Sequence, residues 1–416
     1  MDFTAILVVA ALFLLYALFS KRLANTSLTA PMIFTGAGLI IAFFSKDFLG
    51  TSDMSQGTVH ILAEITLVLV LFTDASHINL KSLTKDHILP QRMLSIGMPL
   101  TVLFGTLVAF GLFYETFTIW EAALIAAILT PTDAALGQAV VSSEKVPVRI
   151  RQTLSVESGL NDGIALPLVL LLASVASSAS SELGSLYWAK FALLQVTLGP
   201  LIGIIVGFVG AKLIGFVVKK DWMSQTFEGV FALSIAFIAF AGAEFVHGNG
   251  FIAAFVAGLT FGNVLTNSCK FLYEFAESEG QFFTLATFLI FGTVAVFLIG
   301  SDFQWIYTLY GVLSLTIIRM LPIAFSLIGT GVNKWTVLFL GWFGPRGLAS
   351  ILFALLILEG AKIEKGEQIT SVVIITILLS IALHGITAAP LSRKYGSIIK
   401  EDSESEEMKP VPEMMP

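Results

Sequence analysis

Acidic and polar side chains interrupt two long apolar runs of the sequence. Residues 129–136 (LTPTDAAL) contain Asp133, and residues 155–162 (SVESGLND) contain Glu157 and Asp162. Ionisable groups at the depth of a bilayer core are costly, and they usually mark a path for an ion or a proton. The two stretches therefore predict a polar site inside a membrane.

The spacing of the second stretch places its polar groups on shared faces of one helix. Glu157 and Asn161 are four residues apart, as are Ser158 and Asp162. Asp162 lies about ten residues into its apolar run, roughly 15 Å along a helix and near the midplane. Carboxylate and hydroxyl oxygens suit a small cation, whereas a transition metal would require His or Cys at ligand spacing.

Two arginines, Arg319 and Arg346, also fall in the middle of apolar runs. We expect Arg319 to neutralise Glu157, which leaves Asp162 without a permanent partner. A carboxylate in that position can hold either a proton or a metal cation near neutral pH. The alternative is that Asp162 is also locked in a structural salt bridge.

Other polar residues in apolar runs carry weaker indications of function. We interpret Glu64, Asp74, Glu244 and His247 as interface or packing groups rather than as ligands, and His384 as a hydrogen-bonded packing residue.

The composition is that of a membrane protein that crosses the bilayer many times. Of the 416 residues, 56% are hydrophobic and 12% are charged, with a mean hydropathy of +0.89, whereas soluble domains carry roughly 25% charged residues. We expect no nucleic-acid partner. The single cysteine, Cys269, excludes an intrachain disulfide and a multi-cysteine metal site.

A membrane span needs about 20 mostly apolar residues. The sequence contains thirteen candidate spans, near residues 3–19, 31–45, 58–76, 93–113, 118–141, 152–176, 188–217, 227–246, 250–266, 282–300, 305–329, 335–358 and 370–392. If the N-terminus lies outside, only four of the 23 Lys and Arg residues fall in outer loops: Lys46, Lys190, Lys362 and Lys365. This bias supports the count and predicts a cytoplasmic C-terminus.

Prolines interrupt two of these spans at corresponding positions. Pro131 lies in span five, and Gly344-Pro345-Arg346-Gly347 lies in span twelve. Two six-helix units, spans 1–6 and 8–13, would each have the break in their fifth helix and would enter the membrane from opposite sides. Paired interruptions of this kind indicate an inverted-repeat transporter with a midplane site. The alternative is that both are ordinary proline kinks.

The combined motifs resemble the NhaP-type sodium/proton antiporters of the cation/proton antiporter superfamily. They are Thr130-Pro131-Thr132-Asp133, Glu157-Ser158-Gly159-Leu160-Asn161-Asp162, Arg319-Met320-Leu321-Pro322 and Gly344-Pro345-Arg346-Gly347. The resemblance implies an all-α protein of thirteen transmembrane helices, with two inverted six-helix repeats and interrupted helices 5 and 12. One difference is that many relatives have Thr-Asp-Pro, whereas here Pro131 precedes Thr132-Asp133, which bears on the carbonyls that the proline frees.

The resemblance also implies a homodimer in which a core domain moves like an elevator against a dimerisation domain. Helices 1–3 (residues 1–92) and 8–10 (225–300) would form the dimerisation domain. Helices 4–6 (93–180) and 11–13 (304–395) would form the core, with a linker helix at 185–220. Residues 396–416 are expected to be a disordered cytoplasmic tail, because they contain few apolar residues.

The ion ligands implied by the resemblance are Thr132, Asp133, Ser158 and Asp162. Asn161 is implied as a supporting residue. We class Glu157, Arg319, Arg346, Thr130 and Pro131 with it as supporting residues. Relatives with Asn-Asp at this position are generally electroneutral.

The leading hypothesis is exchange of Na⁺ or Li⁺ for H⁺ without a cofactor, in a bacterial or archaeal plasma membrane. Exchange of K⁺ for H⁺ by the same site is the close alternative. A channel would need a selectivity filter, and an intramembrane hydrolase would need a Ser-His or His-Glu-x-x-His arrangement. Neither pattern is present in the sequence.

The predicted topology places Cys269 in a cytoplasmic loop after the ninth span. An impermeant thiol reagent added to intact cells should leave Cys269 unlabelled until the membrane is opened. Rapid labelling from outside would contradict the span count.

Overall fold

The computed structural model describes residues 3–23, 26–44, 56–78, 80, 87–177, 185–265, 270–299, 303–360, 363–400 and 406–408. Within these residues the longer elements are all helices, and no β-strand is present. Cys269, and with it the loop on which the labelling prediction depends, lies outside the described residues.

The helices are labelled here in chain order. They are α1 Phe3–Leu23, α2 Ala30–Phe44, α3 Gln56–Ser76, α4 Ile88–Leu112, α5 Ile119–Ile128, α6 Ala134–Val141, α7 Val148–Ala176, α8 Ser185–Lys219, α9 Gln225–Phe245, α10 Gly250–Val264, α11 Lys270–Ile299, α12 Trp305–Leu315, α13 Ile317–Ser326, α14 Lys334–Trp342, α15 Leu348–Gly360 and α16 Gly366–Lys400.

The length and apolar character of the helices make the chain a multi-pass membrane protein, as its composition predicts. In the described part of the chain, eight helical stretches are long and apolar enough to cross a bilayer, and three shorter apolar helices accompany them. Large apolar side chains such as Leu14, Ile204 and Phe245 are exposed on the outside of the bundle. In a membrane these side chains face lipid rather than water.

The helices pack into two groups. In the first, here called the scaffold group, α10 packs against α3 and α8, and α11 packs against α2. Close approach of α10 to α3 requires glycine, because a Cβ at Gly258 or Gly262 would collide with the backbone of α3. In the second, here called the core group, α4–α7 pack with one another and with α12–α16.

Both predicted interruptions are present. The chain leaves helical geometry between α5 and α6, around Pro131, and again between α14 and α15, around Pro345. The structure also breaks at Thr316, between α12 and α13, where the sequence predicts one continuous span. The Thr316 hydroxyl donates to the carbonyl of Val312 at 2.6 Å, a bond to the preceding turn that often bends a helix.

The C-terminal region differs from the prediction of a disordered tail beginning at residue 396. Helix α16 continues to Lys400, and Glu406–Met408 form a short 3₁₀ turn in which Glu407 is buried. Side-chain and backbone contacts with the core group hold this turn in place. The low content of apolar residues therefore did not predict the structure at these positions.

Candidate functional site

The two interrupted spans cross at Asp133. Its backbone N–H donates to the carbonyl of Pro345 at 2.8 Å. One carboxylate oxygen caps α6 by accepting from the N–H groups of Ala135 (2.7 Å) and Leu136 (3.2 Å). The other oxygen accepts from the N–H of Leu348, the first residue of α15, at 2.5 Å. One carboxylate therefore satisfies the positive N-terminal ends of two half-helices.

Arg346 binds carbonyl groups beside the C-terminal ends of the other two half-helices at the crossing. Its side chain is fully buried, and Nη1 donates to the carbonyls of Thr130 (3.1 Å) and Gly344 (3.0 Å). These carbonyls follow the C-terminal ends of α5 and α14, where a positive charge is favourable. His384 supports this end as the predicted packing residue, since its Nε2 lies 2.9 Å from the carbonyl oxygen of Trp342.

Glycine is required on both sides of Pro345. A Cβ at Gly347 would overlap the Asp133 carboxylate, and a Cβ at Gly344 would overlap the Arg319 guanidinium. The two glycines of this motif therefore have a packing role. Without a Cβ, they let the side chains of Asp133 and Arg319 approach the backbone around Pro345.

The predicted ion pair between Glu157 and Arg319 is present. Arg319 Nη2 lies 2.8 Å from Glu157 Oε1 and 2.9 Å from Oε2, and both residues are buried. The pair joins α7 to α13 within the core group. Glu157 is therefore a neutralised structural group in this arrangement.

Three predicted site residues form a hydrogen-bonded cluster beside the crossing. The hydroxyl oxygens of Thr132 and Ser158 are 2.9 Å apart, and Asn161 Nδ2 donates to Thr132 Oγ1 at 2.6 Å. All three side chains are buried. The extended segment before α6 is thereby fixed against α7, the helix that carries Asp162.

Asp162 differs from Asp133, whose two carboxylate oxygens both accept hydrogen bonds. Its Oδ1 is buried and has no hydrogen-bond partner among the described residues, and the same holds for Asn161 Oδ1. This part of α7 faces the scaffold group, because a Cβ at Gly159 would touch Ile78 and one at Gly163 would touch Phe255. A carboxyl oxygen with unused acceptor capacity therefore lies at the boundary between the two helix groups.

Asp74 belongs to this site although the sequence argument placed it among packing groups. Asp74 lies on α3 beside α7, since its backbone carbonyl oxygen is 3.9 Å from the position of a Cβ on Gly159, and its carboxylate interacts electrostatically with Asp162 and Asp133. Acids inside an apolar helix are a general signal of function. The chain order gave no indication that α3 would face α7, so that signal could not be connected with Asp162.

Glu244 and His247 lie at the turn between α9 and α10 rather than at the crossing. Glu244 accepts from the N–H of Gly250 at 2.8 Å, a contact that closes the turn between α9 and α10, and His247 lies in this turn with a φ of 63°. The described residues contain no group of three or more His, Cys, Asp or Glu side chains suited to a metal ion. The oxygens near Asp162 come from a mixture of carboxylate, hydroxyl and amide groups.

Comparison with known proteins identifies related sequences and folds. The model of the family described as "Sodium/hydrogen exchanger, transmembrane" matches residues 7–394. The K(+)/H(+) antiporter NhaP of Alkalimonas amylolytica is 24% identical, over 98% of this chain and 69% of its own length. The Na(+)/H(+) antiporter NhaP of Pseudomonas aeruginosa is 25% identical, over 78% of both chains.

A solved structure has the same fold. The sodium proton antiporter MjNhaP1 from Methanocaldococcus jannaschii superposes with a TM-score of 0.76 at 19% identity, over 94% of this chain and 99% of that one.

The buried ion pair predicts a specific loss of stability. Arg319→Ala should lower the free energy of unfolding by about 3–5 kcal/mol, because Glu157 would remain buried without its counter-charge. Thermal melting of the purified protein checks this, with Arg22→Ala, an exposed arginine at the end of α1, as control. Adding Glu157→Gln should recover part of the loss. Wild-type melting of Arg319→Ala would mean that Arg319 acts only on ion binding.

Proposed function

The chain belongs to the sodium/hydrogen exchanger family, and on that premise we propose that it exchanges Na⁺ or Li⁺ for H⁺ as a secondary antiporter. The family consists of cation/proton antiporters, which are transporters rather than enzymes and need no cofactor. Exchange of K⁺ for H⁺ is the second candidate, because the related sequences carry names of both kinds.

One observation carries the proposal: Asp162 has a buried carboxylate oxygen with no partner among the described residues, next to the crossing of two interrupted spans. We propose that this oxygen binds the transported cation together with the hydroxyls of Thr132 and Ser158. Those hydroxyls are 2.9 Å apart, and their oxygens retain acceptor capacity. Such ligands match the preference of small hard cations for oxygen.

Asp133 and the remaining site residues have supporting parts in this scheme. Both oxygens of Asp133 already accept backbone N–H groups, but a carboxylate has about four acceptor sites, so Asp133 can still contribute to the cation. Asn161 orients Thr132, whereas Arg346 and the Glu157–Arg319 pair hold the frame. Asp74 adds negative charge from the scaffold side, which favours a cation or a proton between the two helix groups.

Coupling follows if Asp162 carries one cation or one proton, never both. Loading from one side exchanges the bound proton for a metal ion of the same charge. The empty carboxylate is disfavoured from crossing, because an unpaired charge in the membrane is costly. Glu157 is neutralised and Asn161 does not titrate, so one cation replaces one proton and the cycle moves no net charge.

The architecture suits alternating access by an elevator-like movement. We propose that the described helices form thirteen spans in two inverted six-helix repeats, with α5–α6 and α14–α15 as the interrupted fifth and twelfth spans. The core group would be the moving domain, and the scaffold group would contain the dimerisation surface of a homodimer. The packing of the helices into two groups supports this division.

We propose that the protein lies in a bacterial or archaeal plasma membrane, with the N-terminus outside and the C-terminus in the cytoplasm. The excess of Lys and Arg in the loops predicted to be cytoplasmic supports this orientation.

Removing the titrating group should abolish exchange without unfolding the protein. Asp162→Asn keeps the shape of the side chain but can neither carry a proton nor neutralise a cation. Proton flux in everted vesicles, after addition of Na⁺, Li⁺ or K⁺ in turn, should be lost while expression and melting temperature are retained. Asp221→Asn, the same change at an exposed loop position, is the matched control. Robust exchange by Asp162→Asn would exclude the mechanism.

Competition at one carboxylate predicts the kinetics of the wild-type protein. Raising the proton concentration should raise the apparent KM for the cation without lowering the rate at saturating cation, within the range where protons are not limiting. In sealed proteoliposomes, exchange should generate no membrane potential, which a potential-sensitive dye can follow. A potential produced by exchange alone would mean that a second group, with Asp74 the first to test, also carries charge.

A further inference from the structure

The short turn Glu406–Met408 returns to the core group after α16. We propose that the pocket formed by Arg149, Asn333, Thr336 and Tyr395 is a carboxylate-binding site whose occupant is the chain's own acidic C-terminal segment, through Glu407. The docked segment fastens the ends of α7, α14 and α16 to one another. This inference goes beyond the proposed transport function and does not depend on it.

Glu407 is bound in the pocket through one carboxylate oxygen, Oε1, whereas Oε2 is buried without a hydrogen-bond partner among the described residues. Its side chain is 1% exposed, and Oε1 accepts from the backbone N–H of Asn333 at 2.7 Å and from the hydroxyl of Thr336 at 2.6 Å. Thr336 is itself fully buried, and its hydroxyl oxygen is 2.8 Å from that of Tyr395 on α16. The carboxylate therefore contacts a prepared group of buried polar side chains.

The second anchor is Arg149, in the first turn of α7. This arginine is 7% exposed, and its Nη1 donates to the backbone carbonyl of Glu406 at 2.6 Å and lies 3.3 Å from the Glu406 carboxylate. The segment is thus held through its main chain at one residue and through its side chain at the next. Charge-assisted hydrogen bonds of this kind are about twice as strong as neutral ones.

The chemistry of the pocket selects an anion. The N–H of Asn333 lies at the start of α14, where the helix dipole favours negative charge. The Asn333 side chain caps the same helix by accepting from the N–H of Trp335. The groups that face the segment are an N–H, a hydroxyl and a guanidinium, all able to donate. An acidic peptide satisfies these donors, and Glu407 provides the carboxylate.

The pocket lies at the ends of three helices of the core group, away from the ion site. Arg149 lies thirteen residues before Asp162 on α7, about 20 Å along the helix, so the docked segment is not part of the ion site. Helix α14 leads into the crossing, and α16 packs against α6 and α12. Holding these three helix ends together braces the core group from the face that the loop charges place in the cytoplasm.

Spin-label mobility in the full-length protein tests the docking. Met408 is 42% exposed and can carry a label as Met408→Cys in a Cys269→Ser background. The label should be immobilised, and Glu407→Ala should mobilise it and lower the melting temperature. Glu413→Ala, which removes the same charge from the same segment, is the matched control and should change neither. A freely mobile label in the parent, or an immobile label in Glu407→Ala, would overturn the proposal.

A peptide supplied in trans provides the second measurement. A synthetic peptide with the sequence of residues 401–416 should bind the Glu407→Ala protein and recover its melting temperature, because the pocket is then vacant. The same peptide with alanine in place of Glu407 should not. If Glu407→Ala does not yield folded protein, Thr336→Val, which removes one donor and keeps the shape, should mobilise the label as well. Equal effects of the two peptides would contradict a carboxylate-specific pocket.

Discussion

Open backbone at membrane depth must be satisfied inside the protein, and the crossing of the two interrupted spans depends on this constraint. Four half-helices end close together in space at the crossing. Their ends leave N–H groups on one side of the crossing and carbonyl groups on the other. Asp133 accepts from the N-terminal ends of two of them, and Arg346 donates to the C-terminal ends of the other two. One carboxylate and one guanidinium thus satisfy the crossing, and removing either would leave its own backbone partners buried and unsatisfied.

The surrounding charges follow from that arrangement. Nη1 of Arg346 donates to backbone carbonyls, and the counter-charge bonded to Glu157 is Arg319 on α13. The break at Thr316 lies only three residues before Arg319, and Gly344 leaves space for its guanidinium. Asp162 and Asn161 each retain a buried oxygen with no hydrogen-bond partner among the described residues. In the proposed exchange, the unpartnered oxygen of Asp162 binds the transported cation or the proton, because no described residue is hydrogen-bonded to it.

The sequence allowed some of this to be predicted, for reasons that differ from residue to residue. Proline alone did not locate the interruptions, because Pro167, Pro200, Pro322 and Pro390 lie inside helices. Pro131 and Pro345 could be located because each lies beside polar or glycine residues in the middle of an apolar run. The Glu157–Arg319 pair could be predicted because few buried charges exist to be matched. The parts played by Asp74 and Glu407 could not, because each depends on which distant helix packs alongside, and neither periodicity nor composition contains that information.

In the proposed elevator-like movement, the core group would move as one unit against the scaffold group. The hydrogen bonds described above for the crossing join residues of the core group, so this movement would leave them intact. Two contacts of α7 with the scaffold group are apolar: a Cβ at Gly159 would touch Ile78, and one at Gly163 would touch the ring of Phe255. Apolar contacts of this kind are non-directional, and sliding one helix past the other costs less than breaking buried hydrogen bonds. Asp162 lies on α7 at this boundary between the core group and the scaffold group. In the proposed movement, a carboxylate at this position would be exposed first to one side of the membrane and then to the other.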